Sequence, residues 1–216
     1  MKDKLLQDGT LYEEKFRVKE SRDNARFVLM ILLVLFFSLA LKVVWQTAVG
    51  AVRVSGRSME QTLQSGDKLL VQNAGWWHQA DYGDVIVVDV SGYQEWQESG
   101  NPDGLIIKRL IAKAGDSVYC EDGTVYLKKA GESEYAALIE PYAYYSNPKE
   151  DYDFGEYVLG EGEIFFLGDN RFVSQDSRYK EGYSRLTYLY KQTDIVGTVS
   201  EWAIENRKIL EGIFFN

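Results

Sequence analysis

The sequence predicts a mainly β protein in which a single N-terminal transmembrane helix precedes an antiparallel β-sheet ectodomain with an inserted subdomain. Three observations support this fold class. One long apolar run lies near the N-terminus, the later apolar runs are short and rich in β-branched residues, and no strand pattern alternates with a helical pattern. Because parallel sheets require that alternation, its absence favours antiparallel pairing.

The apolar run extends from Phe27 to Leu41 without a charged residue and continues past Lys42 to Trp45. As a helix, residues 27–45 would cover about 28 Å, close to the hydrocarbon thickness of a bilayer. Its hydrophobicity on every side is unlike that of an amphipathic core helix, and no small-x-small cleavage pattern follows it promptly, as a secretion signal would require. We therefore expect residues 27–45 to form a transmembrane helix.

The basic residues around this run predict its orientation. Five precede it closely: Lys15, Arg17, Lys19, Arg22 and Arg26. Only Arg53 and Arg57 lie at a similar distance beyond Trp45. Since lysine and arginine accumulate on the cytoplasmic side of a membrane span, we expect residues 1–26 to be cytoplasmic and residues 46–216 to be extracytoplasmic.

Short strand-like segments follow the apolar run. Asp84–Val90 is β-branched and bounded by turn residues, and Asp122–Gly123 separates two strand-like runs as the turn of a hairpin. Glu163–Asp169 and Asp194–Ile204 predict further strands. Residues 128–162 differ from these segments because they are acidic, rich in tyrosine and contain two of the three prolines. We interpret them as a subdomain inserted into the β domain.

Composition excludes several classes of function. The net charge of −9, without a long basic block, argues against nucleic acid as a partner. The single cysteine, Cys120, cannot form an internal disulfide, and the single histidine, His78, excludes a histidine-rich metal site. We expect no cofactor or metal. Trp76, Trp77 and Leu69–Val71 form either a second membrane contact or part of the core.

Ser58, in the stretch "SGRSMEQTL", is either an ordinary turn residue or a nucleophile. A hydroxyl becomes a nucleophile only when a neighbouring base takes its proton. His78 lies between tryptophan and polar residues, where a structural role is the better interpretation. Lys108 follows three apolar residues in a predicted strand, so it protects a strand edge, lies on a solvated face, or is desolvated. Burial would lower its pKa from about 10.4 toward roughly 7–8 and make it a general base.

Four segments together resemble the type I signal peptidases, the membrane-bound serine–lysine proteases that remove leader peptides from exported proteins. They are "SGRSMEQTL", "YGDVIVV", "IKRLIAKAGD" and "GDNRFVSQDSR", in the order and spacing of that family, and with the apolar run they cover most of residues 27–204. The resemblance implies an endopeptidase of the cell membrane that cuts after a small-x-small leader. It implies three partners, which are preproteins with signal peptides, membrane lipid and a secretion translocon. Lysine in place of histidine is typical of bacterial or organellar members.

The resemblance also implies a role for each matching residue. Ser58 matches the nucleophile, Lys108 the general base, and Ser174 a serine that orients the amine by a hydrogen bond. Four residues match those that brace the site and hold its strands together: Asp176, Arg178, Arg109 and Asp169. Four apolar residues match those lining the shallow pockets for the side chains of the leader: Val54, Met59, Leu63 and Ile107.

Five positions depart from the family pattern. Gln61 and Ala114 replace usual prolines, Lys113 replaces an apolar residue, and Phe172 stands where aspartate is frequent. Gly56 occupies a place where some members have a serine that donates to the oxyanion, so the sequence identifies no second oxyanion donor. None of these departures removes a reacting group.

Two alternative functions remain open from the sequence. A self-cleaving serine–lysine protein of the LexA-like type would share the β-rich core, although those proteins carry a DNA-binding domain. A membrane-anchored pilus or secretion assembly factor could keep the fold without catalysis, although Ser58, Lys108 and Ser174 are all present.

Overall fold

The structure is a computed structural model that describes residues 2–75, 79–93, 96, 104–146, 148–178 and 190–215. His78, Trp76 and Trp77, considered above, lie outside the described residues. The chain divides into two compact units, Met1–Thr47 and Ala48–Asn216.

The first unit is one long helix, α1, spanning Lys2–Ala48. The expected membrane segment 27–45 lies within α1, and the helix extends beyond it at both ends. The part Arg22–Ala48 contains a window of mean hydropathy 2.9, and the side chains of that window are unburied. By length and composition, this part of α1 is a candidate membrane span.

The second unit consists mainly of short strands with two helices at its C-terminal end. The strands are β1 (Val49–Arg53), β2 (Lys68–Asn73), β3 (Val85–Asp89), β4 (Leu105–Ala112), β5 (Ser117–Glu121), β6 (Thr124–Lys128), β7 (Ala136–Ala137), β8 (Phe154–Val158), β9 (Glu163–Leu167), β10 (Tyr190–Lys191) and β11 (Ile195–Val199). The helices are α2 (Glu201–Glu205) and α3 (Arg207–Phe214), and two 3₁₀ turns occupy Lys149–Tyr152 and Gln192–Asp194.

These strands form two antiparallel sheets. The larger has the order β1-β2-β11-β3-β4-β9-β10, and the smaller has the order β7-β6-β5-β8. All named strand pairs are antiparallel, which confirms the predicted fold class. The smaller sheet comprises the hairpin β5–β6 as well as strands from the expected subdomain 128–162. Asp122 and Gly123 both adopt positive φ, +51° and +68°, as the predicted tight turn of that hairpin requires.

Strands β3 and β4 lie inside the larger sheet and place the residues of the site. β3 is flanked by β4 and β11, and Val85–Val88 are buried, so the apolar run predicted at Asp84–Val90 is an inner strand. The register sets Ile86 opposite Lys108 and Val85 opposite Arg109. Because neighbouring side chains on a strand point to opposite faces, Lys108 and Arg109 emerge on different sides of the sheet.

The predicted strand Asp194–Ile204 is wrong in its second half. The strand β11 ends at Val199, and helix α2 begins at Glu201. Ser200 causes the change, because its hydroxyl accepts a hydrogen bond from the N–H of Ala203 as a helix N-cap. The C-terminal helix α3, in which only Leu210 is buried, was also not predicted.

Leu69 and Val71 are buried in the core beside Val85 and Val87. Of the two interpretations given for Leu69–Val71, core packing therefore holds for these two residues. Cys120 is also buried, and burial raises the pKa of its thiol to about 12.

Candidate active site

Ser58 lies in the turn that follows β1, with its side chain beside Lys108. Gly56, two residues earlier, adopts a φ of +84°, a conformation that favours glycine, and so bends the chain before the serine. The Nζ of Lys108 donates a hydrogen bond to Ser58 Oγ at 2.9 Å and a second to the carbonyl of Ile107 at 3.1 Å. The structure therefore brings together the two residues proposed to react.

Lys108 is buried because of its place on an inner strand. Its side chain shares a face of β4 with Ile106 and Leu110, lies opposite Ile86, and is only 3% exposed. The ring of Trp96 lies 6.0 Å from its Nζ. Strand β4 has neighbours on both sides, so the alternative role of Lys108 as an edge-protecting lysine is wrong.

Burial lowers the pKa of Lys108 from 10.5 to about 8, because the apolar surroundings disfavour the ammonium form. The carboxylates of Asp176 and Asp169 act in the opposite direction, and Arg178 lowers the pKa further. With a pKa of about 8, about one tenth of the amine is neutral at pH 7, against about one part in 2,500 at the reference value. A larger fraction of this amine than of an exposed lysine is therefore neutral at pH 7.

Arg109 and Asp169 form a buried ion pair, as the family resemblance implied. Two nitrogens of Arg109 donate to the carboxylate of Asp169 at 2.8 and 2.6 Å, and a third contact runs to the carbonyl of Gly83 at 2.6 Å. Thr62 also donates to Asp169. Burial opposes the charge on Arg109, but the carboxylate outweighs it and raises the pKa of the arginine. The pair joins β4 to the loop after β9.

That loop holds the backbone of Ser58. The N–H of Asn170 donates to the carbonyl of Ser58 at 2.9 Å. Gly168 packs so closely that an added Cβ would lie 2.5 Å from Ser174 Cβ and 2.6 Å from the carbonyl oxygen of Ser58. Gly168 therefore has to be a glycine for the loop to approach the serine. No pattern in the sequence indicates a role for Asn170 or Trp96, because both act through contacts distant in sequence.

Asp176 and Arg178 brace the same loop. Arg178 donates to both oxygens of Asp176 at 2.7 and 2.9 Å, and Asp176 accepts from the N–H of Gly168 at 3.0 Å. Burial alone would raise the pKa of Asp176, but Arg178 and the Gly168 N–H hold it below its usual range. Arg178 also donates to the carbonyls of Arg171 and Ser174.

The structure does not contain the hydrogen bond that was expected between Ser174 and Lys108. The Oγ of Ser174 is buried and makes no hydrogen bond of regular geometry among the described residues, but it lies close enough to the carboxylate of Asp176 to help lower the pKa of that group. Its side chain also packs against Gly168. Ser174 thus acts on the residues of the loop and makes no hydrogen bond to the amine.

Ser58 and Lys108 open into a cleft of about 720 Å³. Its walls include three of the four apolar residues expected to contact the leader: Val54, Met59 and Ile107. The fourth, Leu63, is buried in the core and does not line the cleft. Val54 and Met59 are almost fully buried, so they contribute only shallow apolar surface.

Residues 24–203 match the sequence profile of the family described as signal peptidase, peptidase S26. The chain belongs to this family. Among individual proteins, it is 33% identical to a signal peptidase I of Bacillus licheniformis over 58% of this chain and 63% of that protein. It is 31% identical to a signal peptidase I of Bacillus amyloliquefaciens over 67% of this chain and 68% of that protein. The chain thus spans roughly two thirds of the length of these relatives.

A crystal structure of a signal peptidase I from Enterococcus faecalis is also similar. It is 23% identical, with a TM-score of 0.41, over 57% of this chain and 98% of that chain. This likeness is too weak to add to the assignment, which rests on the family profile and the Bacillus relatives. The resemblance to type I signal peptidases that the four segments carry is confirmed.

One departure from the signal peptidase pattern has a structural counterpart. Gln61 stands where the family commonly has proline, and it adopts a φ of +101°. Proline is locked near −65°, so it cannot occupy this backbone conformation. The turn Met59–Leu63 after Ser58 therefore has a different backbone conformation from the turn that a proline at position 61 would form.

We predict that Gln61→Gly stabilises the protein by about 1 kcal/mol, because glycine adopts a positive φ without the steric cost of a side chain. Gln61→Pro should destabilise it by more than that, although proline is usual in the family. Urea unfolding of the detergent-solubilised protein measures both changes. Equal stability of the proline variant and the wild type would contradict the positive φ.

Proposed function

We propose that this membrane-anchored protein is a serine endopeptidase that removes leader peptides from exported preproteins. One observation carries the proposal: the amine of Lys108 is buried, has a lowered pKa and lies 2.9 Å from Ser58 Oγ. Membership of the signal peptidase family supports this proposal, because hydrolysis of a peptide bond needs a nucleophile and a base.

In this mechanism the neutral amine of Lys108 accepts the hydroxyl proton of Ser58 while Oγ attacks the carbonyl carbon of the leader's last residue. This carbonyl belongs to the peptide bond that joins the leader to the exported protein. The protonated amine then gives the proton to the nitrogen of the departing chain, leaving the leader bound to Ser58 as an ester. Water, activated by the same amine, hydrolyses that ester and frees the serine. One base serves both steps, since it returns to its neutral form after each.

The oxyanion of the intermediate requires hydrogen-bond donors near Ser58. The main-chain N–H of Ser58 is the donor that we propose, because the bend at Gly56 sets the orientation of this peptide unit. Gly56 itself has no side chain to donate. The supporting residues act indirectly. Asn170 holds the carbonyl of Ser58, and Ser174 packs against Gly168. Two ion pairs hold the loop: Asp169–Arg109 and Asp176–Arg178.

The cleft fits a leader that ends in small side chains. Val54, Met59 and Ile107 line it, and the first two are almost fully buried, so they present a small apolar surface to the substrate. β1, at one edge of the larger sheet, also lines the cleft and offers an extended peptide its backbone groups. The substrate that we propose is therefore an extended leader with small residues at the last position and two positions before it.

We further propose that residues 1–26 are cytoplasmic and that residues 46–216 form the extracytoplasmic peptidase domain, from the excess of lysine and arginine before the apolar run. In this arrangement the translocon that delivers preproteins and the surrounding lipid are the expected partners. Neither alternative function is favoured, because the family profile and the Bacillus relatives described above are those of signal peptidases.

We predict that Lys108→Arg abolishes cleavage although the protein still folds. Arginine keeps the positive charge, but its pKa above 12 denies it a neutral form that can accept a proton. Incubation of the detergent-solubilised variant with an exported precursor, followed by gel analysis, measures the loss. Lys113→Arg is the matched control, since Lys113 pairs with Asp81 at the surface and should tolerate the change. Near-normal cleavage by a folded Lys108→Arg protein would refute the serine–lysine mechanism.

We predict that kcat/KM of the wild type rises about tenfold per pH unit at low pH and levels off above a pH of about 8. The sign follows from the base: only the neutral amine is active, and the fraction of neutral Lys108 grows until pH exceeds its pKa. Initial cleavage rates of a synthetic precursor peptide between pH 6 and 9.5 measure the profile. A rate independent of pH over this range would mean that Lys108 is not the titrating base.

We predict that cleavage follows a small residue and requires another small residue two positions earlier. Replacing either by leucine or glutamate in a precursor should lower the cleavage rate at least about tenfold, because a large or charged side chain has no pocket to enter. The same replacements at the position between them are the control. Mass spectrometry of the product identifies the new N-terminus, and ready cleavage after large residues would contradict the proposed substrate.

A further inference from the structure

The segment Glu140–Tyr145 lies beside the loop that holds Ser58. The N–H of Tyr144 donates to the carbonyl of Asp169 at 2.7 Å, and the N–H of Arg171 donates to the carbonyl of Tyr144 at 2.8 Å. These two bonds make a parallel bridge between Tyr144 and Asn170. The segment thus pairs with residues 169–171 as a short added strand would.

A buried ion pair joins the segment to the same loop. Two nitrogens of Arg171 donate to the carboxylate of Glu140 at 2.6 and 3.1 Å, with side chains only 2% and 7% exposed. The Nε of Arg171 donates to the carbonyl of Gly168 at 3.0 Å, and one of the two nitrogens that bind Glu140 also donates to the hydroxyl of Tyr145. Burial disfavours the charge on Arg171, yet Glu140 outweighs it and raises the pKa of the arginine.

Tyr142 links the segment to the strand of Lys108. Its ring lies 3.8 Å from the guanidinium carbon of Arg109, which is the neighbour of Lys108 on β4, and its hydroxyl donates to Glu140 at 3.2 Å. A single stretch of six residues therefore contacts both elements that carry the site, the loop beside Ser58 and the strand of Lys108.

We propose that Glu140–Tyr145 is a positioning strap that holds residues 168–171 against Ser58 and so keeps Ser58 Oγ in line with the amine of Lys108. The loop is the intermediary, because Asn170 lies between the two residues that bond to the backbone of Tyr144, and its own N–H donates to the Ser58 carbonyl. The strap touches neither reacting atom. Its catalytic role rests on the function proposed above, whereas its effect on the loop does not.

Glu140 is the residue through which the strap is best tested. Removing its charge leaves Arg171 buried without its ion-pair partner, and the arginine's hold on the Gly168 carbonyl should weaken with it. A displacement of Ser58 by a fraction of an ångström suffices to lower the rate of a reaction that depends on alignment. The loss should therefore appear in kcat and not in KM, since the cleft walls are unchanged.

The experiment compares Glu140→Gln with Glu163→Gln in the detergent-solubilised full-length protein. Glu163 is a matched control because it also forms an ion pair, with Lys191 at 3.0 Å, at the end of β9 remote from the loop. For Glu140→Gln we expect kcat on a precursor peptide to fall about tenfold or more with KM within about twofold. For Glu163→Gln we expect both constants to stay within about twofold of the wild type.

A second variant, Tyr145→Phe, removes one hydroxyl that accepts a hydrogen bond from Arg171. It should give a smaller loss of kcat in the same direction, and it replaces Glu140→Gln as the test if that variant does not fold.

Amide hydrogen exchange gives a second measurement that needs no activity. In Glu140→Gln the amides of Asn170 and Arg171 should exchange at least about tenfold faster, while those of β3 exchange as in the wild type. Unchanged exchange at Asn170, an unchanged kcat, or equal acceleration in β3 would overturn the strap. If the wild-type protein cuts no precursor, the proposed function fails, and the exchange comparison alone then decides whether the strap holds the loop.

Discussion

The burial of the Lys108 amine is the constraint on which the rest of the site depends. Lowering its pKa from 10.5 to about 8 corresponds to a cost on the order of 3 kcal/mol for keeping the ammonium form in the fold. That cost is fully present below pH 8, where the amine is charged in both the folded and the unfolded chain. It is relieved between pH 8 and 10.5, where the unfolded chain binds more protons, so this residue makes the protein more stable as pH rises through that range.

Two neighbouring ion pairs, Asp169–Arg109 and Asp176–Arg178, prevent the carboxylates from pairing with the amine of Lys108. Asp169 and Asp176 both act to raise the pKa of Lys108, and either could neutralise the ammonium if it were free to do so. Each is instead bound by an arginine through two hydrogen bonds, Asp169 by Arg109 and Asp176 by Arg178. Because the arginines take up most of the carboxylates' acceptor capacity, desolvation dominates the pKa of the lysine. The buried pairs are therefore part of how the base is tuned as well as how the loop is held.

Much of this arrangement could be predicted from the sequence, because its signals are local. The β-branched run after Gly83 predicts an inner strand, and the residues around Ser58, Lys108 and Asp169 stand in the order and spacing of a known family. The helix α2 was missed because "VSEWAI" is apolar enough to continue a strand, and only the hydroxyl of Ser200, bonded to Ala203, ends it. The contact between Glu140 and Arg171 has no local signal, since these residues are 31 positions apart in the sequence. The hydrogen bond expected between Ser174 and the amine of Lys108 is absent for a similar reason. The direction of the Ser174 side chain depends on its close packing against Gly168, which the sequence does not indicate.

The positions of Ser58 and Lys108 are set by different kinds of interaction, and this difference explains the layout of the second unit. Lys108 needs an apolar face, which an inner strand between β3 and β9 supplies. Ser58 needs an exposed turn, so its backbone has to be held from outside the sheet by hydrogen bonds from a loop. A loop alone would be too mobile for a reaction that requires alignment within a fraction of an ångström. The Asp169–Arg109 pair ties that loop to β4, and the Arg171–Glu140 pair ties it to the strap. The Asp176–Arg178 pair braces the segment internally, through the N–H of Gly168 and the carbonyl of Arg171, so the loop is held both from outside and from within.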